Sequence, residues 1–129
     1  MKIAHSLVML LVALAITGCT TVSLLPRSQL RQSDDTIKSK LLSRTALGAS
    51  EDDVVSYLRA NELKPEPIWR GTIQPNDSYF QNTVPGNSST RVVIGRFRNI
   101  FVTSVLARYI FDQDRRLVEI VVSKETDAL

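Results

Sequence analysis

Hydrophobic positions change their spacing twice along this chain. Leu7 to Ile16 (LVMLLVALAI) is an unbroken apolar run. From Asp34 the spacing turns helical, with Ile37, Leu41 and Leu42 at i, i+4 and i+5. That pattern predicts a helix over 34–47. Asp34 and Asp35 would supply an N-cap and first-turn negative charge, and Gly48 would end it. A second helix is predicted from Ser50, whose side chain can cap free amides, through Glu51, Asp52 and Asp53 at the positive end of the dipole. Val54, Tyr57 and Leu58 line one face with Val55 beside them, and the helix stops near Asn61. Two short helices and a tight turn make a helical hairpin.

From Arg91 the period becomes two. Arg91 to Ile94 reads as a strand broken at Gly95. Phe97 to Phe111 follows, with Val105, Ala107, Tyr109 and Phe111 on one face and Leu106 and Ile110 on the other. Asp112 to Arg116 reads as a hairpin turn. Leu117 to Lys124 closes the pattern, with Val118, Ile120 and Val122 inward and Glu119 and Ser123 outward. Helices first and strands afterwards predict an α+β domain: an N-terminal helical hairpin packed on a three-stranded antiparallel sheet. Between them, 64–90 holds Pro65, Pro67, Pro75 and Pro85 and reads as a long irregular loop, with Ile68-Trp69-Arg70 as a short extended piece.

The N-terminal run has a different meaning. Met1-Lys2 is a short basic start, and Thr17-Gly18-Cys19 is a small-residue ending, the layout of a secretory signal peptide. As a helix the run would extend about 15 Å, roughly half a bilayer core, too short for a transmembrane span. Ile16-Thr17-Gly18-Cys19 resembles the bacterial lipobox, in which the thiol of the Cys is acylated and the chain is cut before it. The predicted organisation is a signal peptide over 1–18, a lipidated tether over 19–33 and a folded domain over 34–129. Two or three acyl chains anchor far better than one. Thr20, where Asp would resemble an inner-membrane retention signal, points to the outer membrane, facing the periplasm.

Composition narrows the chemistry. The chain has 129 residues, 43% hydrophobic and 22% charged, as expected for one folded domain. It holds one Cys and one His. The predicted cleavage removes His5 and acylation consumes the Cys19 thiol. Ser-His-Asp triads, Cys-His dyads and multi-Cys or His-ligated zinc are then excluded, and no cofactor is expected. Asp112-x-Asp114 lacks the further ligands and the Gly of a calcium loop. Glu51, Asp52 and Asp53 point to successive helix faces and do not converge. Glu62 with Glu66, or Glu119 with Asp112, would need a sugar cleft to act as a carboxylate pair, and nothing encodes one. No catalytic residue, metal ligand or small-molecule substrate is expected.

Charge is distributed unevenly. Between 91 and 116, Arg91, Arg96, Arg98, Arg108, Arg115 and Arg116 face only Asp112 and Asp114, whereas 33–66 carries five basic and seven acidic groups. Arg throughout the basic half suits bidentate contact with carboxylate or phosphate groups. The net charge of +3, one lower once Lys2 is removed, and the envelope address do not favour nucleic acid. Arg91, Arg96, Arg98 and Arg108 are therefore candidate partner contacts, beside the ordinary reading of charged, solvated sheet edges. Trp69, Tyr79 and Phe80 in the loop are anchors if exposed. Buried, they cap the sheet, and burial is the expectation for Trp69.

Leu47-Gly48-Ala49-Ser50 with Val54 and Leu58, together with Val105 through Asp112 and Arg116-Leu117-Val118, resembles the small envelope lipoproteins of the BamE/SmpA type and the wider β-lactamase-inhibitor-like fold group. The resemblance covers roughly 34–124. It implies a helical pair on a three-stranded antiparallel sheet and a role in binding other proteins. The long Pro-rich insertion departs from that group's minimal pattern. The expected function is a membrane-anchored, non-enzymatic adaptor holding a protein partner. The alternative is an inhibitor or immunity protein whose long loop plugs an envelope or secreted enzyme.

Overall fold

A computed structural model describes residues 23–73 and 86–127 of the protein. Its elements, in order, are α1 (Arg27–Leu30), α2 (Asp34–Arg44), α3 (Glu51–Ala60), β1 (Trp69–Ile73), β2 (Gly86–Arg98), β3 (Val102–Phe111) and β4 (Leu117–Thr126). The class is α+β. Among the described residues the strands form one antiparallel sheet in the order β1-β2-β3-β4. It has four strands where three were expected. The extra strand, and the first residues of β2, come from the stretch that the sequence left as loop. Trp69 pairs with Ser89 and Arg70 with Ser88, so the two sides of the Pro-rich stretch zip together.

Both main helices start where the side chains dictate. Ser33 Oγ accepts from the Thr36 amide at 3.2 Å, so Ser33 rather than Asp34 caps α2, and Ser50 Oγ accepts from the Asp53 amide at 3.1 Å. Helix α2 ends three residues short of Leu47, at Arg44. Thr45 leaves the helix in an extended conformation while its amide and hydroxyl both donate to the Leu41 carbonyl, at 2.9 and 3.0 Å. Gly48 then takes φ +86° and turns the chain onto the edge of β4. There the Gly48 amide donates to the Leu117 carbonyl and the Leu117 amide to the Ala49 carbonyl, both at 2.8 Å.

Helix α3 closes with a Schellman motif. The Leu63 amide donates to the Leu58 carbonyl at 3.0 Å and the Glu62 amide to the Arg59 carbonyl at 2.9 Å. Leu58 and Leu63 are both buried, as the motif requires. Glu62 occupies the left-handed position, φ 62°, where glycine is usual.

The core lies between the helices and one sheet face. Ile37 and Leu41 from α2, and Val54 and Leu58 from α3, pack on Val92, Ile94, Val105, Ala107, Tyr109, Phe111, Ile120 and Val122. The alternation expected along β3 is the one observed. Two bulges alter the rest. Ile94 is an extra residue between the pairs Val93–Leu106 and Gly95–Val105, so β2 continues through Gly95 to Arg98 rather than breaking there. The turn falls instead after Arg98, inside what the period-two reading took as strand. A second register shift, between Ile110 and Phe111, reverses Val118. It packs against Ile110 and Val121 on the other face, not inward with Ile120.

Residues 23–33 are not a free tether. Leu24, Leu25 and Leu30 are core residues. The Leu24 amide donates to the Ile94 carbonyl at 2.8 Å, covering an edge of β2 that β1 is too short to reach. A Cβ at Gly95 would stand 2.5 Å from Ser23 Oγ and 2.6 Å from Leu30 Cδ1, so the missing side chain makes room for this segment. Three apolar side chains among polar neighbours showed no period, yet each found a place in the core.

The helix-free face of the sheet

Cross-strand register assigns every strand residue to a face. The rows Arg70–Ser88–Phe111, Thr90–Tyr109–Ile120 and Val92–Ala107–Val122 face the helices. The rows Trp69–Ser89–Ile110, Arg91–Arg108–Val121, Val93–Leu106–Ser123 and Arg96–Ser104–Glu125 face the other way, with Arg98 beyond them. Five of the predicted contact residues, Trp69, Arg91, Arg96, Arg98 and Arg108, therefore share one face. No described helix joins the small apolar cluster of Ile110, Val118 and Val121 there. Tyr79, Phe80 and Cys19 lie outside the described residues.

The face is less basic than its arginines suggest. Arg91 and Arg108 sit directly opposite each other, a like-charge pair that needs compensation. Glu66 Oε1 accepts from Arg91 Nη2 at 2.8 Å and from Nε at 3.2 Å. That hydrogen bond and the carboxylate charge raise the Arg91 pKa above its ordinary value. Arg108 donates to Ser89 Oγ at 3.2 Å. Burial, then the charge of Arg91, lowers its pKa. Arg96 Nε donates to Ser104 Oγ at 3.1 Å. A shallow groove of about 320 Å³ crosses this region, lined by Lys64, Arg91 and Arg96 against Glu66, Glu125 and Asp127, with Leu106 among its apolar residues. Sequence reasoning missed Glu66 as Arg91's partner, because the two lie 25 residues apart and meet only through the sheet.

Trp69 is 51% exposed, against the expectation of burial. Its indole lies over Gly71, where a Cβ would come within 2.5 Å of the ring. The ring thus lies against the backbone of its own strand.

The acidic candidates hold structure together. Glu51 is 5% exposed and ties three elements. Its Oε1 meets Arg70 Nη2 of β1 at 2.9 Å, and its Oε2 accepts from Ser88 Oγ of β2 at 3.0 Å. Asp112 Oδ1 accepts from the amides of Asp114 and Arg116, both at 2.9 Å, and Arg115 sits at φ 58° in the same turn. Glu119 Oε1 is 2.6 Å from Lys38 Nζ. Among the described residues no group of three or more His, Cys, Asp or Glu could hold a metal ion. Also among them, no helix is long and apolar enough to cross a membrane.

Burial pushes the Tyr109 phenol up to about 12, with the Thr45 hydroxyl pulling the other way. Its Oη lacks a hydrogen bond of good geometry. The group sits within the core and belongs to packing, not to the exposed face. No protein-family model matches this chain, no curated protein matches its sequence, and no solved structure matches its fold.

Proposed function

We propose that this protein is a lipid-anchored lipoprotein of the bacterial envelope that holds a protein partner and performs no catalysis. Acylation at Cys19 places it on the outer membrane, facing the periplasm. The observation that carries the binding half is the convergence of Trp69, Arg91, Arg96, Arg98 and Arg108 on the sheet face that no described helix covers. An exposed indole beside arginines on the same face offers an anchor and charged contacts for a protein surface. Mixed charge in the groove suits a partner that is itself mixed rather than a polyanion. The helix pair on an antiparallel sheet is the arrangement that the BamE/SmpA resemblance leads one to expect, with β1 added to it.

Site-specific photocrosslinking in cells tests this reading. A crosslinker at Arg96 should capture one envelope protein, and a crosslinker at Asp52, on exposed α3, should not. Arg91→Ser with Arg96→Ser should lose capture from a crosslinker at Trp69 while the thermal transition stays in place. Equal capture from both faces, or capture unaffected by the double substitution, overturns the assignment.

A further inference from the structure

The turn between β2 and β3 exposes two large apolar side chains side by side. Ile100 is 81% exposed and Phe101 is 42% exposed. The Asn99 amide donates to the Phe101 carbonyl at 3.2 Å, which closes the tip. Its surroundings are of mixed charge: the Asp127 amide donates to the Val102 carbonyl at 3.0 Å, and Glu125, opposite Ser104, lines a groove with Arg96. From Arg96 to Ala107 the chain carries two arginines and no acid. Arg31 also reaches the tip, with its guanidinium 5.2 Å above the Phe97 ring and Nη2 donating to the Arg98 carbonyl at 3.2 Å.

The N-terminal segment reaches the same end of the sheet. Ser23 lies against Gly95 and the Leu24 amide bonds the Ile94 carbonyl, so the chain runs antiparallel to β2 at this point. Cys19 precedes Ser23 by four residues, a reach of at most about 14 Å. Gly95 and Ile100 are five residues apart, about 17 Å of extended chain. An acyl chain on Cys19 and the β2–β3 tip can therefore reach one surface together.

We propose that the β2–β3 tip is a second membrane foot: Ile100 and Phe101 enter the interface of the bilayer that holds Cys19, with Arg98 and Arg31 at the level of the lipid phosphates. The proposal rests on the lipid-anchor reading. Exposed apolar side chains with Arg31 and Arg98 beside them suit an interfacial contact, and a second contact turns a point anchor into an oriented one. With its tip in the lipid, the sheet stands off the membrane and the helix-free face is presented sideways to a partner.

The test uses the mature acylated chain in vesicles of phosphatidylethanolamine and phosphatidylglycerol. In a Trp69→Phe background, Phe101→Trp places a reporter at the tip. Its emission should shift to the blue and be quenched by brominated lipid, and Arg98→Glu should diminish that quenching. Emission typical of water, unquenched in vesicles, overturns the proposal. A photocrosslinker at Ile100 in cells should give lipid adducts. Adducts to protein alone overturn the proposal and assign the tip to a protein partner. The mass of the mature chain separates the two failures. Acyl mass without quenching rejects the tip alone, whereas a chain without acyl mass rejects the anchor reading beneath it.

Discussion

The two faces of the sheet are built from the same strands and do opposite things. Phe111, on the helix side, joins a cluster that draws on all three helices and on β2, β3 and β4. Ile110, one residue earlier, meets only Val118 and Val121 in its cluster. The helix side is stabilised by apolar area removed from water, which is cooperative and intolerant of gaps. The other side includes polar contacts, Arg91 with Glu66 and Arg96 with Ser104, that are exposed and individually worth little. Apolar burial is concentrated on the helix side, although Ser89, Ile110 and Leu106 of the other face are buried as well.

The largest expected effect breaks the helix side. Phe111→Ala should cost about 4 kcal/mol, counting lost burial and the cavity left behind. Urea denaturation would read this as a large fall in midpoint. A loss below about 1 kcal/mol would mean that the helices do not clamp this face as described.

Next in size is Tyr109. The phenol titrates near 10 when unfolded and at about 12 in the fold. Between these values the folded chain keeps a proton that the unfolded chain has lost, so stability falls as pH rises through that window. The loss should approach about 2 kcal/mol by pH 12, and Tyr109→Phe should remove that component. Near neutral pH the same substitution should be close to neutral, since it discards a hydroxyl that makes no well-formed bond. Denaturation series at several pH values for both forms would check each part.

Glu62→Gly sharpens the comparison from outside the sheet. Relieving the left-handed conformation at the end of α3 should stabilise the domain by about 1 kcal/mol, partly offset by glycine's greater freedom when unfolded. A small upward shift in thermal midpoint is expected, and a downward one would show that the Glu62 side chain contributes something unseen. The smallest effect belongs to the helix-free face. Arg96→Ser should change stability by no more than about 0.5 kcal/mol. A larger loss would show that this face is structural and not held in reserve for binding.

Local signals were legible wherever the cause was local. Ser50 caps α3 because its hydroxyl lies three residues from a free amide, and Asp112 folds its own turn. The alternation along β3 showed which of its residues face the core. The faces of β2 and β4 were partly hidden, since each bulge adds one residue and shifts the period without any mark in composition. The turn at 99–101 was hidden for a related reason: Ile100 and Phe101 are apolar and extend the pattern of the strand they interrupt. The candidate site was legible as a set of residue types, Arg and Trp, and not as a place.

By itself the sequence determined the helical pair, the α+β order and the alternation along β3, because each depends on residues within a turn or two of one another. Only the tertiary structure decided that 69–73 would be a strand, that Leu24, Leu25 and Leu30 would leave the expected tether for the core, and that Glu66 would pair with Arg91. Each of these joins segments 13 or more residues apart. Such contacts form only when other elements have already fixed the geometry, so no local pattern records them.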